Sequence, residues 1–150
     1  YLGLGLATLN QIKQVVKNRE PKGFSQSLAY HPDIRRRTGE MSARLESARW
    51  LLRHAAWLAD AEGQTTEAQA AFFRAKYIVG ESVAQATRSA LEMGGAHALF
   101  KGSPLERYFR DGATATMMQP SSDVCLGQIS LYELGLDAKD VELPLKRGEL

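Results

Sequence analysis

Cysteine is nearly missing from this sequence. Cys125 stands alone among 150 residues, so no disulfide can close within the chain, and a reducing compartment such as the cytoplasm is the expected setting. Long apolar runs are missing as well: none approaches the roughly 20 residues a spanning helix needs, and no membrane partner is expected. Neither sign of charge dominates. With 19 Lys and Arg against 17 Asp and Glu, the net charge of +2 removes the electrostatic reason to expect nucleic acid. No segment alternates apolar and polar residues as a half-buried strand would. An initiator Met is absent too, and no basic stretch precedes "YLGLGLATLN". This start reads as the interior of a helix, and the chain as a piece of a longer protein, rather than as a signal peptide.

What is present is helical. A hydrophobic content of 44% and a charged content of 24% suit one globular domain long enough to bury a core. Leu2, Gly5, Leu9, Ile12 and Val16 mark one face of a first helix over Leu2–Asn18. Pro21 and Gly23 punctuate a loop up to Tyr30. Pro32 and Asp33 suit the first turn of a second helix, which Glu62-Gly63 ends. Its seam is Ile34, Thr38, Met41, Leu45, Ala48, Leu52, Ala55 and Ala59, an average spacing near the 3.5 residues of a coiled-coil stripe. Thr66 with Gln69 reads as a capping box for a third helix. Phe72, Ala75, Val79, Val83, Ala86, Ala90 and Met93 form the stripe of that helix, and Gly94-Gly95 closes it. A short helical piece follows over Pro104–Phe109. Pro120 forces a break, and Ser121 or Ser122 caps a last helix with Val124, Ile129, Leu131 and Leu134 as its apolar residues. Long helices joined by short turns predict an all-α fold, an antiparallel (up-down-up-down) four-helix bundle over residues 1–138, with 139–150 as a loosely packed tail.

Several familiar chemistries find no residues to carry them. A di-iron site in a bundle takes paired inward Glu-x-x-His motifs. The chain has none, and His31, His54 and His97 lie on separate segments without ligand spacing, so no metal is expected. His54, beside the second helix's seam, reads as a hydrogen-bonded structural histidine. Arg35, Arg36 and Arg37 read as a solvated face. Cys125 has no neighbouring base in sequence, and no Ser-elbow motif exists. Met117-Met118 reads as ordinary packing. Gly94-Gly95 has two readings: a helix C-cap, or a place where backbone approaches a ligand too closely for any side chain.

The order of these segments resembles that of the C-terminal helical domain of the acyl-CoA dehydrogenase family. The segments are "GEMSARLESARWLLRHAAWLAD" (Gly39–Asp60), a long Ala-rich helix ending in Gly94-Gly95, and "SPLERYFRD" (Ser103–Asp111). The resemblance runs from about Leu2 to Leu136. It implies a FAD enzyme that oxidises the Cα–Cβ bond of an acyl-CoA thioester. A base removes the α-proton while a hydride leaves Cβ for the flavin. It also implies a helical domain and a β-domain ahead of this one, and self-association, or pairing with an unlike homologous subunit, through the bundle.

On the family's pattern, Arg19 and Phe24 stand at the arginine and aromatic of a loop that reaches a neighbouring subunit's FAD. They are more widely spaced here, and Ser25 replaces the usual Gly. Gly94 and Gly95 stand at the Gly-Gly laid against the flavin's diphosphate, with Leu91 in place of a polar residue. Glu106, Arg107, Arg110 and Asp111 match a supporting ionic network. Counting on, the family's Tyr-Glu-Gly-Thr falls on Met118, Gln119, Pro120 and Ser121. Ser121 thereby joins the flavin-contacting set, and Gln119 takes the place of the catalytic glutamate. A carboxamide donates and accepts hydrogen bonds but cannot serve as a proton acceptor, so no catalytic residue is assigned.

Three explanations stay open. The base could stand on the first helix upstream of Tyr1, or unlike subunits could pair with only one carrying it. Alternatively the protein is a flavin-dependent monooxygenase of the same fold, in which "His-Pro-Ala-Asn-Asp" stands where "QPSSD" (Gln119–Asp123) stands here and no α-proton is removed. A non-catalytic partner subunit or assembly module is the reading from another class.

Overall fold

Prolines, threonines and glycines decide where this chain starts and stops its helices. The computed structural model describes residues 1–139 and 141. Its helices are α1 (Leu2–Asn18), α2 (Pro32–Glu62), α3 (Thr66–Gly94), α4 (Pro104–Ala113) and α5 (Ser122–Leu134). Short 3₁₀ turns occupy Leu28–Tyr30, Ala96–Leu99 and Thr114–Thr116. No strand occurs among the described residues, and the all-α expectation holds. The bounds of α1 and α2 fall where the sequence places them. The tail reading for 139–150 lies outside the described residues except at Lys139 and Val141.

Two helix ends differ from expectation. The N-cap of α3 is Thr65, not Thr66: its hydroxyl accepts from the Ala68 amide at 3.2 Å, and its backbone is extended (φ −74°, ψ 161°). Thr66 is already helical, so the Thr66/Gln69 box cannot form; the Gln69 amide bonds instead to the Thr65 carbonyl. Helix α4 runs past Phe109 to Ala113. Gly112 does not break it, because the missing side chain is what lets α4 approach α3. A Cβ at Gly112 would lie 2.5 Å from Thr87 Oγ1.

Helix α3 is central, packed against α1, α2, α4 and α5. Ile12, Leu45 and Val83 are fully buried where α1, α2 and α3 meet. Gly5 lets α1 come this close: a Cβ there would stand 2.5 Å from Leu45 Cδ2 and 3.1 Å from Val83 Cγ2. Gly5→Val is therefore expected to cost about 1–3 kcal/mol by overpacking. Urea unfolding should show its midpoint reduced while Gly3→Val, at an open position, leaves it nearly in place.

The 3.5-residue seam of α2 does not stay on the core. Met41, Leu45, Ala48, Ala55 and Leu58 are buried, whereas Ala59 is exposed and Leu52 is 44% exposed. An α-helix drifts about 20° per heptad against a strict seven-residue repeat; beyond Ala48, Ala55 stays buried while Leu52 and Ala59 turn outward and Leu58 takes the core position beside Ala59. Small residues (Ala55, Ala68, Ala71 and Ala75) close the tip of the α2–α3 hairpin around Leu58, leaving Phe72 exposed. His54 is exposed as well, a corrected expectation. One residue before buried Ala55, it lies about 100° round the helix, and it stacks on Trp57 (centroids 6.1 Å apart, 21° between planes). In α5 only Cys125 is buried; Val124 and Leu134 face solvent, and Ile129 and Leu131 are half-buried.

Candidate functional site

Arg19 ends α1 in an extended conformation (φ −103°, ψ 117°). Its carbonyl accepts from the Leu28 amide at 2.9 Å, which closes the intervening loop and fixes the arginine at its root. From there Nη1 donates to the Gly94 carbonyl oxygen at 2.8 Å, across a sequence separation of 75 residues. Arg19, Gly94 and Gly95, far apart in sequence, are thus one cluster.

The two glycines do different work. Gly94 is buried, and a Cβ on it would meet Ala98 Cβ at 2.7 Å and Leu105 Cδ1 at 3.0 Å, so it is a packing residue. Gly95 is half-exposed with φ +66° and ψ −165°, a region that only glycine populates readily. An ordinary cap looks different. Gly135 ends α5 at φ 64°, ψ 31° with the Leu136 amide bonded back to the Leu131 carbonyl. Gly95 instead donates to the Glu92 carbonyl at 3.2 Å and accepts from the Ala98 amide at 2.9 Å, and a Cβ there would lie 3.2 Å from Arg19 Nη1.

Arg19 has no carboxylate partner among the described residues, and one of its five N–H donors is accounted for by Gly94. A half-buried cation with spare donors, lying against a half-exposed glycine, suits a phosphate-type anion. The residues present therefore fit the diphosphate of a dinucleotide.

The end of α3 that carries this cluster is tied to the start of α2. Arg37 Nη1 donates to Glu92 Oε2 at 2.7 Å and its Nε to Asp33 Oδ2 at 2.8 Å; Arg88 Nε reaches Glu92 Oε1 at 3.2 Å. Arg37, then Arg88, holds the Glu92 carboxyl below the usual carboxylate range, and Arg36, then Arg37, does the same for Asp33. A depressed folded-state pKa means that the stabilisation is present above the ordinary carboxylate range and is lost as pH falls through the lowered value. These pairs are exposed, so the contribution is small and screened by salt.

The remaining expected residues are placed less tightly. Phe24 sits at the exposed tip of the loop that Arg19 roots, 64% exposed beside a shallow cavity of about 200 Å³ lined in part by Pro21, Tyr30 and Pro32. Ser121 is the N-cap of α5, accepting from the Val124 amide at 3.4 Å. Gln119 is exposed and joined to Pro120 by a cis peptide bond. Met117 and Met118 are 64% and 56% exposed, so they are not the core packing that was expected; the turn carries them outward with Gln119. Glu106 with Arg110, and Arg107 with Asp111, pair along the exposed side of α4. Sequence reasoning passed over Lys76, Gly80 and Glu81 of α3, which touch the segment around Gln119. Its one signal was the isolated glycine inside a helical pattern.

A family model described as the acyl-CoA dehydrogenase C-terminal domain matches residues 1–131. YdbM of Bacillus subtilis (strain 168), which carries the name acyl-CoA dehydrogenase, is 28% identical over 130 residues, covering 87% of this chain and 34% of the relative. A 3-sulfinopropanoyl-CoA desulfinase of Variovorax paradoxus is 27% identical over 135 residues, 90% of this chain and 32% of its own. Among solved structures, a glutaryl-coenzyme A dehydrogenase in complex with glutaryl-CoA superposes with a TM-score of 0.83 at 25% identity, over 94% of this chain and 35% of that one. The chain spans about a third of the length of these relatives.

Proposed function

The chain belongs to the acyl-CoA dehydrogenase family, and we propose that it is the C-terminal helical domain of a FAD-dependent oxidoreductase acting on the Cα–Cβ bond of an acyl-CoA thioester. The observation that carries the proposal is the hydrogen bond from Arg19 to the Gly94 carbonyl, which sets a guanidinium beside the half-exposed Gly95. FAD is the family's cofactor, and when bound it supplies the acceptor for the substrate's hydride. The chain's own residues have other tasks. Arg19 and Gly95 bind and orient the diphosphate, Phe24 and Ser121 extend the contact surface, and Gln119 offers an amide where the family's carboxylate removes a proton. With no base at 119, the proton acceptor stands elsewhere in the full protein. The exposed apolar side chains of the α2–α3 hairpin, Leu52 with Phe72 on one side and Trp50 with Trp57 on the opposite side of α2, are the apolar surface for self-association or an unlike homologous subunit. The cytoplasm is the proposed compartment.

Arg19 tests the reading. Charged hydrogen bonds contribute about 1.5–3 kcal/mol, so Arg19→Met in the full-length protein is expected to weaken FAD retention by about 10- to 100-fold. Lysine keeps the charge without the planar fork, and Arg19→Lys should fall between. Flavin absorbance per subunit after gel filtration measures this, and an Arg19→Met protein with the parent's full FAD content sinks the proposal.

One second reading has a specific observation behind it. Relatives named as desulfinases of a CoA thioester match 89% and 90% of this chain, and cleavage of a carbon–sulfur bond at the acyl chain does not oblige residue 119 to take an α-proton. Product analysis with saturated and sulfinated acyl-CoA substrates separates the two.

A further inference from the structure

One face of α3 runs along the segment that carries Gln119. Lys76, Gly80 and Thr87 recur at helical spacing on that face, with Glu81 beside them. Lys76 Nζ donates to the carbonyl oxygen of Ala115 at 3.0 Å. Gly80 lies flat against the same carbonyl: a Cβ at position 80 would be 3.0 Å from the Ala115 oxygen and 3.5 Å from its carbon. Thr87 packs against Gly112. On the far side of the turn, Ser122 Oγ donates to Glu81 Oε1 at 2.7 Å, and the buried Cys125 thiol donates to the Pro120 carbonyl at 3.6 Å. Ala115 is fully buried, yet Met117, Met118 and Gln119 are exposed. The segment is thus gripped on both sides and projects in the middle. A lysine committed to one backbone carbonyl makes a charge-assisted bond, stronger than a neutral one.

We propose that Lys76 and Glu81 are positioning residues that fix the Met117–Ser121 turn, and with it the Gln119 amide, for the bound thioester. The turn's role rests on the proposed function; the clamp itself does not. A misplacement of about 1 Å, even one caused by a residue away from the chemistry, costs up to roughly 100-fold in rate, so small losses of grip are expected to be visible.

The test uses the full-length protein and reads amide hydrogen exchange over residues 114–121, where the Met117 and Met118 amides bond to the Thr114 carbonyl. Loss of a charged hydrogen bond predicts that Lys76→Met speeds exchange there by about tenfold or more, with α1 and α2 unchanged. Turnover should fall by about 10- to 100-fold with KM within about twofold, and Lys76→Arg should restore most of the loss. Glu81→Gln, which keeps an acceptor for Ser122, should have the smaller effect. Parent-like exchange at 114–121 in Lys76→Met overturns the inference, as does acceleration spread evenly over the domain. A parent protein with neither bound FAD nor thioester turnover counts against the flavoenzyme reading instead, and the exchange data still decide the clamp.

Discussion

Gly95→Val in the full-length protein is expected to retain about a tenth or less of the parent's FAD after gel filtration, because it acts on two terms at once. First, φ +66° with ψ −165° admits essentially glycine alone, and holding a β-branched residue there costs about 1–3 kcal/mol. Second, the new Cβ would start 3.2 Å from Arg19 Nη1, so the valine methyls push the guanidinium off the Gly94 carbonyl. Losing the arginine's charged hydrogen bonds accounts for about 1.5–3 kcal/mol of cofactor affinity. The control is Gly63→Val at the end of α2. Gly63 has nearly the same backbone (φ 72°, ψ −148°) with open space around it. That variant should show comparable strain and normal flavin content. Equal FAD loss in both would mean that backbone strain, not the site, governs binding.

The second large effect is expected from Gln119→Glu. If the turn presents residue 119 to the thioester α-carbon, a carboxylate there adds a general base, worth typically 10²–10⁴-fold in rate. Deuterium exchange at the α-carbon of a bound saturated acyl-CoA measures proton abstraction directly. The expected rate is no lower than the parent's and up to about 10²–10⁴ times higher. A marked fall would show that the amide makes a hydrogen bond a carboxylate cannot make, since exchanging the amide NH2 for a carboxylate oxygen removes both N–H donors. Residue 119 is exposed, so the substitution carries no packing penalty of its own.

Much of this architecture was legible in the sequence, for local reasons. Pro32, Gly63 and the Gly94-Gly95 pair act through their own backbone preferences, so the bounds of the long helices could be read without knowing the fold. The α2 seam could be read at Met41, Leu45, Ala48 and Ala55 but not throughout. Whether Leu52 and Ala59 stay inward depends on how far the helix rotates against its partner, which is a property of the packed pair. His54 fails for the same reason. The site divides likewise. The segment resemblance carried Arg19 and Gly94-Gly95 forward, but the bond from Arg19 to the Gly94 carbonyl spans a separation that no local pattern encodes. Gly80 and Gly112 look alike as isolated glycines in helices. Only the fold shows that the first leaves room for the Ala115 carbonyl and the second for Thr87.

If the α1–α3 junction forms one wall of a flavin site, the visible absorbance spectrum of the purified full-length protein tests it most directly. The expected spectrum shows flavin bands at a stoichiometry near that of the polypeptide, diminished in Arg19→Met and Gly95→Val. A colourless protein that takes up no FAD when the cofactor is added would contradict it.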